Sequence, residues 1–280
     1  MRCAWKELLE ILPKWLVPEV DALGKDTMQE LRLRLDAPPE LVLEGGIRRL
    51  SRKVSRSDLA ACVNAASRYS PWAAATTANG YLTAPGGHRI GLCGDVIVKG
   101  TEITGIREVT SLCIRVARDF YGIGRGAAQL RGSILIIGAP GWGKTTLLRD
   151  TARQLSEKET VAVVDERGEV FPWGFQRGPR TDVLSGAPKA IGVEMVLRTM
   201  GPQWIAVDEI TAQEDCRALL QARGCGVKLL ATAHAGSLEE FVNRPVYRSL
   251  VDNRVFDYLV VLQRDKSYRT ERICTWNSGG

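Results

Sequence analysis

The 280-residue sequence has no C-x-x-C pair, no low-complexity stretch, no repeat at a fixed period and no long apolar run. Each absence removes a class of protein. Seven cysteines lie at wide intervals (Cys3, Cys62, Cys93, Cys113, Cys216, Cys225 and Cys274), so neither a disulfide framework nor a four-cysteine zinc site is expected. Apolar runs such as Ile134–Ile137 fall far short of the ~20 residues that a membrane-spanning helix needs. The opening MRCAWKELLEILPKWL carries Lys6, Glu7, Glu10 and Lys14 within its apolar stripe and has no small-residue cleavage site, so it does not read as a signal peptide. The expected setting is therefore a reducing cytoplasm, with any attachment to a membrane supplied by a partner. Histidine is scarce, with two residues, and the N-K-x-D box by which GTPases read their base does not occur.

What is present suits a soluble globular chain: 45% hydrophobic and 25% charged residues. The formal net charge of +6 is compatible with a phosphate-bearing ligand, an acidic partner or a nucleic acid, and equally with a solvated basic surface.

Two regimes divide the chain into an N-terminal domain, 1–122, and a second domain, 123–280. The first mixes short elements. Helices are predicted from Trp5 to Leu12, ended by Pro13, from Leu16 to Leu23, and from Ser57 to about Tyr69. Leu31-Arg32-Leu33-Arg34-Leu35 alternates with period two, as a half-buried strand does. Leu41–Leu43 pairs with it and is closed by Gly45-Gly46. Further strands are predicted at Gly80–Thr83, Arg89–Val98 and Ile114–Ala117. In the second regime strands and helices alternate. Strands are predicted at Ser133–Ile137, Thr160–Val164, Trp204–Val207 and Lys228–Thr232, and helices at Lys144–Leu155, 189–200 and Gln213–Arg223. Continuous apolar strands with helical crossovers indicate an α/β fold whose mainly parallel sheet is covered on both faces. Tyr258–Leu262 and Arg272–Trp276 read as added edge strands.

Chemistry concentrates at the strand ends of the second regime. Gly138-Ala139-Pro140-Gly141-Trp142-Gly143-Lys144-Thr145 matches G-x-x-x-x-G-K-[ST] throughout, directly after an apolar strand and directly before a helix, with Thr146 continuing the helix. Glycines let backbone N–H groups approach phosphate oxygens, and the helix N-terminus adds partial positive charge. Lys144 is assigned to the β- and γ-phosphates of ATP and the Thr145 hydroxyl to Mg²⁺. The strand Trp204–Val207 ends in Asp208-Glu209, where Asp208 is assigned to the magnesium site and Glu209 to polarising the attacking water. Val163-Val164-Asp165-Glu166-Arg167-Gly168-Glu169 gathers acids at another strand tip. Glu166 has two readings, a share in orienting water or a salt-bridged loop. Thr232-Ala233-His234-Ala235 offers a polar sensor of the γ-phosphate, with His234 read equally as a satisfied structural residue. Arg89, Arg107, Arg115, Arg118, Arg177, Arg180 and Arg198 are candidates for stabilising phosphoryl charge across a subunit boundary, though for any one of them a solvated or ion-paired role is the simpler reading.

With these residues in view, the sequence is similar to the stage III sporulation protein AA family, relatives of the ring-forming ATPases of type II and type IV secretion and pilus systems. The pieces that carry the likeness are Glu30–Arg34, Gly80–Thr83, Gly86-Gly87-His88-Arg89-Ile90-Gly91-Leu92-Cys93-Gly94, Ile114–Ala117, Gly138–Thr146, Asp165–Arg167 with Glu169, Val207–Ile210 and Ala231–Ala235. The resemblance implies a RecA-like ATPase domain behind a smaller α+β domain. It implies a homo-hexamer in the mother-cell cytoplasm, docked on integral-membrane components of a channel to the forespore, with ATP between subunits. Asp165–Glu169 would match the acidic box of secretion ATPases and Thr232–Ala235 their histidine box; the four-cysteine zinc module of many of them is missing here. Nucleic acid is not expected as a partner, since no basic tail or recognised nucleic-acid module is present. A nucleic-acid-dependent ATPase remains the alternative, followed by a scaffold that binds ATP with little turnover and, more distantly, a small-molecule kinase.

Overall fold

A computed structural model describes residues 1–67, 80–172 and 174–273. The chain forms two compact units, Met1–Asp119 with Pro172–Phe175, and Phe120–Phe171 with Gln176–Gly280.

The first unit contains α1 (Trp5–Glu10), α2 (Val17–Asp21), β1 (Met28–Arg34), β2 (Glu40–Leu43), β3 (Gly46–Arg49), α3 (Arg56–Ser67), β4 (Tyr81–Thr83), β5 (Arg89–Lys99) and β6 (Glu102–Arg115). Its strands make one antiparallel sheet in the order β3-β2-β1-β6-β5-β4. Alternation along β1 buries Met28, Leu31 and Leu33, which join Leu8 of α1 and Leu59, Cys62 and Ala66 of α3 in one core. Asp58 anchors the start of α3 by accepting from the Ser55 N–H at 2.8 Å and from Trp15 Nε1 at 2.9 Å.

Two expectations for this unit need correction. Gly46 opens β3 rather than closing the hairpin, because β2 and β3 pair from Leu43↔Gly46 to Glu40↔Arg49. The strand predicted at Ile114–Ala117 is the end of β6, fourteen residues long, whose first half carries Thr104, Arg107 and Glu108 and pairs with β5 along its whole length. That half belongs to a ribbon with largely exposed faces (Val96, Ile97, Val98 and Ile103 are all exposed), so it has no inside–outside pattern to read. The predicted helix end at Tyr69 lies outside the described residues.

The glycine-rich Gly86–Gly94 stretch has a structural use. His88 is fully buried; its Nδ1 accepts from the Ala117 N–H at 3.1 Å and its Nε2 donates to the Ala4 carbonyl at 2.8 Å. Burial holds the ring's pKa below its ordinary value, so the neutral imidazole ties the chain start to the end of β6. Gly86 sits at φ 76°, and a Cβ there would lie 2.2 Å from the Ala4 Cβ. Only glycine meets both conditions.

The second unit contains β7 (Ile134–Ile137), α4 (Lys144–Leu155), β8 (Val161–Asp165), β9 (Thr181–Ser185), α5 (Lys189–Thr199), β10 (Trp204–Val207), α6 (Gln213–Gly224), β11 (Lys228–Ala233), α7 (Leu238–Asn243), α8 (Arg248–Asp252), β12 (Tyr258–Leu262) and β13 (Tyr268–Arg272). The sheet order is β13-β12-β7-β11-β10-β8-β9, parallel except for the β12–β13 pair. Every residue of β7, β8 and β10 is buried, as strands covered on both faces must be. One core, around Ile205, Leu219 and Leu229, packs against α5, α6 and the short α7 and α8. The other, around Ile134, Leu148 and Val163, packs under α4. The final strand, Tyr268–Arg272, comes earlier than the predicted Arg272–Trp276, because a tight turn after Leu262 brings the chain straight back along β12; residues 274–276 lie outside the described residues. Among the described residues no helix is long and apolar enough to cross a membrane.

Candidate functional site

Three central strands deliver the site. β7 runs into the Gly138–Gly143 loop, and α4 begins at Lys144. The turn depends on Gly141 at φ 76° and Gly143 at φ 100°, where side chains other than glycine's are strained. Pro140 is exposed, Gly138 is buried, and Trp142 packs partly buried against the core under α4. Thr146 is half-buried in the first turn of α4.

Lys144 is buried and lies across the loop. Its ammonium donates to the carbonyls of Gly138 at 2.8 Å and Ala139 at 3.1 Å, and to His234 Nδ1 at 2.9 Å. Burial lowers its pKa, while the charges of Asp208 and Glu209 work in the opposite direction. The next residue, Thr145, donates its hydroxyl proton to Asp208 Oδ2 at 2.6 Å.

Asp208 and Glu209 follow β10 at the same sheet edge. The second Asp208 oxygen accepts from the fully buried Thr232 hydroxyl at 2.6 Å, and that hydroxyl accepts from the Glu209 N–H at 2.7 Å. Thr232, near the end of β11, thus aligns both acids. Glu209 sits at φ 53°, a left-handed backbone that a non-glycine residue keeps only when its surroundings hold it. Its side chain lies 3.0 Å from His234 Nε2 and 3.9 Å from the Arg167 guanidinium. Because Lys144 donates to Nδ1, the ring proton is assigned to Nε2, which donates to Glu209. Lys144, His234 and Glu209 therefore form a continuous hydrogen-bonded chain.

The acids after β8 are arranged otherwise. Asp165 is buried and accepts the backbone N–H groups of Glu169 at 2.8 Å, Val170 at 3.0 Å and Phe171 at 2.9 Å. Burial raises its pKa, opposed by the Phe171 and Val170 hydrogen bonds. Asp165 thus shapes the loop that follows it. Glu166 is ion-paired with Lys189 of α5, the arrangement of its salt-bridged reading. Among the arginines, Arg115 pairs with Glu30, Arg198 with Glu194, and Arg118 donates to the Lys25 and Met28 carbonyls. Arg89 lies over the Tyr81 ring, Arg180 donates to the Lys158 carbonyl, and Arg107 and Arg177 are exposed.

Sequence reasoning missed Arg149 and Arg153, both buried on α4. Arg149 donates to the carbonyls of Glu169 and Val170, and Arg153 pairs with Asp150 at 2.8 Å. It also missed Lys266, whose ammonium donates to the Gly141 carbonyl at 2.6 Å. The clue to the α4 pair was their i, i+4 spacing, which sets both on one helix face; Arg149 meets the loop after β8, and Arg153 the Phe120 and Gln176 carbonyls. Lys266 had no such clue. Among the described residues, no group of three or more His, Cys, Asp or Glu could hold a metal ion. The hydroxyl of Thr145 and the carboxylate of Asp208 are the oxygen donors that suit a magnesium ion shared with phosphates.

Comparison with known proteins places this geometry in context. The family described as "Sporulation stage III, protein AA" matches residues 7–274. The chain is 36% identical to the stage III sporulation protein AA of Bacillus subtilis (strain 168) over 93% of its own length and 91% of that protein's. Among solved structures it is similar to the Legionella pneumophila ATPase DotB, at 17% identity over 92% of this chain and 78% of that one, with a TM-score of 0.61. The pilus retraction motor PilT, solved with bound ADP, is similar at 14% identity over 91% and 77%, also with a TM-score of 0.61. At such identities the likeness speaks for the fold, which is RecA-like and α/β with a mainly parallel sheet, preceded by smaller α+β elements.

Proposed function

This chain belongs to the sporulation stage III protein AA family, and from that premise we propose that it is an ATP hydrolase that powers a secretion-like channel complex between mother cell and forespore. The observation that carries the reading is the 2.6 Å hydrogen bond from Thr145 to Asp208, beside a Glu209 joined to Lys144 through His234. It brings the phosphate loop and both acids of the β10 tip into one hydrogen-bonded group.

In this reading the loop N–H groups from Gly138 to Thr146 and the N-terminus of α4 bind the phosphates, and Lys144 neutralises the β- and γ-oxygens. Mg²⁺ would be held by Thr145 and Asp208, and when bound it would neutralise charge on the transferred phosphoryl group. Glu209 accepts the proton of the attacking water, and His234 holds the Glu209 carboxylate for that task. Glu166 is left to Lys189 and to loop architecture. ATP would sit at subunit interfaces of a hexameric ring, one arginine of a neighbouring copy completing the site. The ring would work in the mother-cell cytoplasm, peripheral to the membrane through integral-membrane partners.

The test is ATP turnover with Mg²⁺ by the full chain and by Lys144→Ala and Glu209→Gln, alongside size-exclusion with light scattering with and without nucleotide. Turnover should require Lys144. Glu209→Gln should still bind ATP while hydrolysis falls roughly 10²- to 10⁴-fold, the range for one general base. Hydrolysis by Lys144→Ala at the wild-type rate would sink the proposal.

A further inference from the structure

The β12–β13 hairpin presents a second cation to the phosphate loop. β12 and β13 pair down to Leu262↔Tyr268, leaving residues 263–267 as the turn. That turn is internally braced. The Gln263 N–H donates to the Ser267 carbonyl at 2.9 Å and the Lys266 N–H to the Gln263 carbonyl at 3.1 Å. Asp265 Oδ1 accepts both from the Ser267 N–H at 2.9 Å and from its hydroxyl at 2.6 Å. Both flanks are anchored: Leu262 is buried with its Cβ 3.0 Å from where a Gly138 Cβ would stand, and the Tyr268 hydroxyl donates to the Ile123 carbonyl at 3.1 Å. The one non-glycine residue at positive φ in this turn is Lys266, at 71°, and its ammonium is the group that reaches Gly141, 125 positions earlier, at 2.6 Å.

Gly141 is a loose point of the loop. It has no side chain, a φ of 76°, and nothing within 4 Å of where a Cβ would be. An anion-binding loop works only if its carbonyls turn away and its N–H groups converge. Lys144 holds the carbonyls of Gly138 and Ala139, and Lys266 holds that of Gly141. We propose that Lys266 is a positioning residue for nucleotide: by fixing the Gly141–Trp142 peptide it sets the affinity of the loop for the phosphates of a nucleoside di- or triphosphate. The inference rests on the nucleotide-binding reading above.

The test compares the full chain with Lys266→Met and Lys266→Arg by titration with fluorescent ADP and ATP, by ATP turnover, and by thermal melting without nucleotide. Lys266→Met should bind both nucleotides ~5- to 20-fold more weakly, the low end for one charge-assisted hydrogen bond because Lys266 is exposed. KM should rise more than kcat falls, as for lost uniform binding. The melting temperature should hold, and Lys266→Arg should restore most of the affinity. Affinity of Lys266→Met within twofold of wild type would overturn the inference. So would a melting temperature that falls in step with affinity, since Lys266 would then be structural. Wild-type protein that binds neither nucleotide would instead overturn the nucleotide reading itself, and this inference with it.

Discussion

Thr232→Val removes one oxygen and keeps the side chain's shape, so its effect can be worked out bond by bond. The buried hydroxyl donates to Asp208 at 2.6 Å and accepts from the Glu209 N–H at 2.7 Å. In the variant the amide loses its acceptor, and leaving a buried polar group unsatisfied costs about 1–3 kcal/mol. The carboxylate loses a charge-assisted bond of about 1.5–3 kcal/mol, moderated because Asp208 keeps its bond from Thr145. The net loss should be about 2–4 kcal/mol of stability. The same amide bond holds Glu209 at φ 53°, so releasing it lets the carboxylate move. A displacement of about 1 Å at a reacting group is worth roughly 10²-fold in rate. Urea unfolding followed by tryptophan fluorescence measures the first effect as a lower midpoint at unchanged slope, and ATP turnover measures the second. Thr232→Ser keeps the oxygen and should lose about 1 kcal/mol or less, from one buried methyl. If Thr232→Val unfolds within about 0.5 kcal/mol of wild type and hydrolyses normally, Thr232 does not hold the two acids.

Two further outcomes are expected. Burial depresses the pKa of His88 in the folded chain below the ordinary 6.5, so the unfolded chain binds the extra proton first; the stability is complete above about pH 6.5 and drains as pH falls below it, and His88→Gln should flatten that slope in unfolding measured between neutral pH and pH 5. Asp165→Asn places an amide donor against three backbone N–H groups and should lower stability by about 1–3 kcal/mol in the same unfolding assay, while changing nucleotide affinity far less than Lys144→Ala does.

The elements legible in the sequence were those whose pattern is local. β7 and β10 are continuous apolar strands, and α4 spans the Lys144–Leu155 interval that follows from its loop and helix signals. The chemistry at strand tips was legible for a related reason: in a parallel sheet, residues just past the strands share one edge, so Thr145 meets Asp208 and Lys144 meets His234 although 63 and 90 positions separate them. β9, with its half-exposed Thr181–Ser185, and the short α7 and α8 lacked periodicity long enough to register. The role of Asp165 was hidden because its partners are backbone N–H groups, which no residue type announces. Lys266 stayed invisible because nothing local to a hairpin turn specifies that its ammonium meets a carbonyl 125 positions away.

One imidazole stands between the loop lysine and Glu209, with a single lone pair on the lysine's side. Each ring nitrogen is committed to one neighbour, so the imidazole passes the position of the ammonium on to the carboxylate. An anion that draws the ammonium off the ring would thereby loosen the ring's hold on the carboxylate, so filling the loop and setting the acid are one event rather than two.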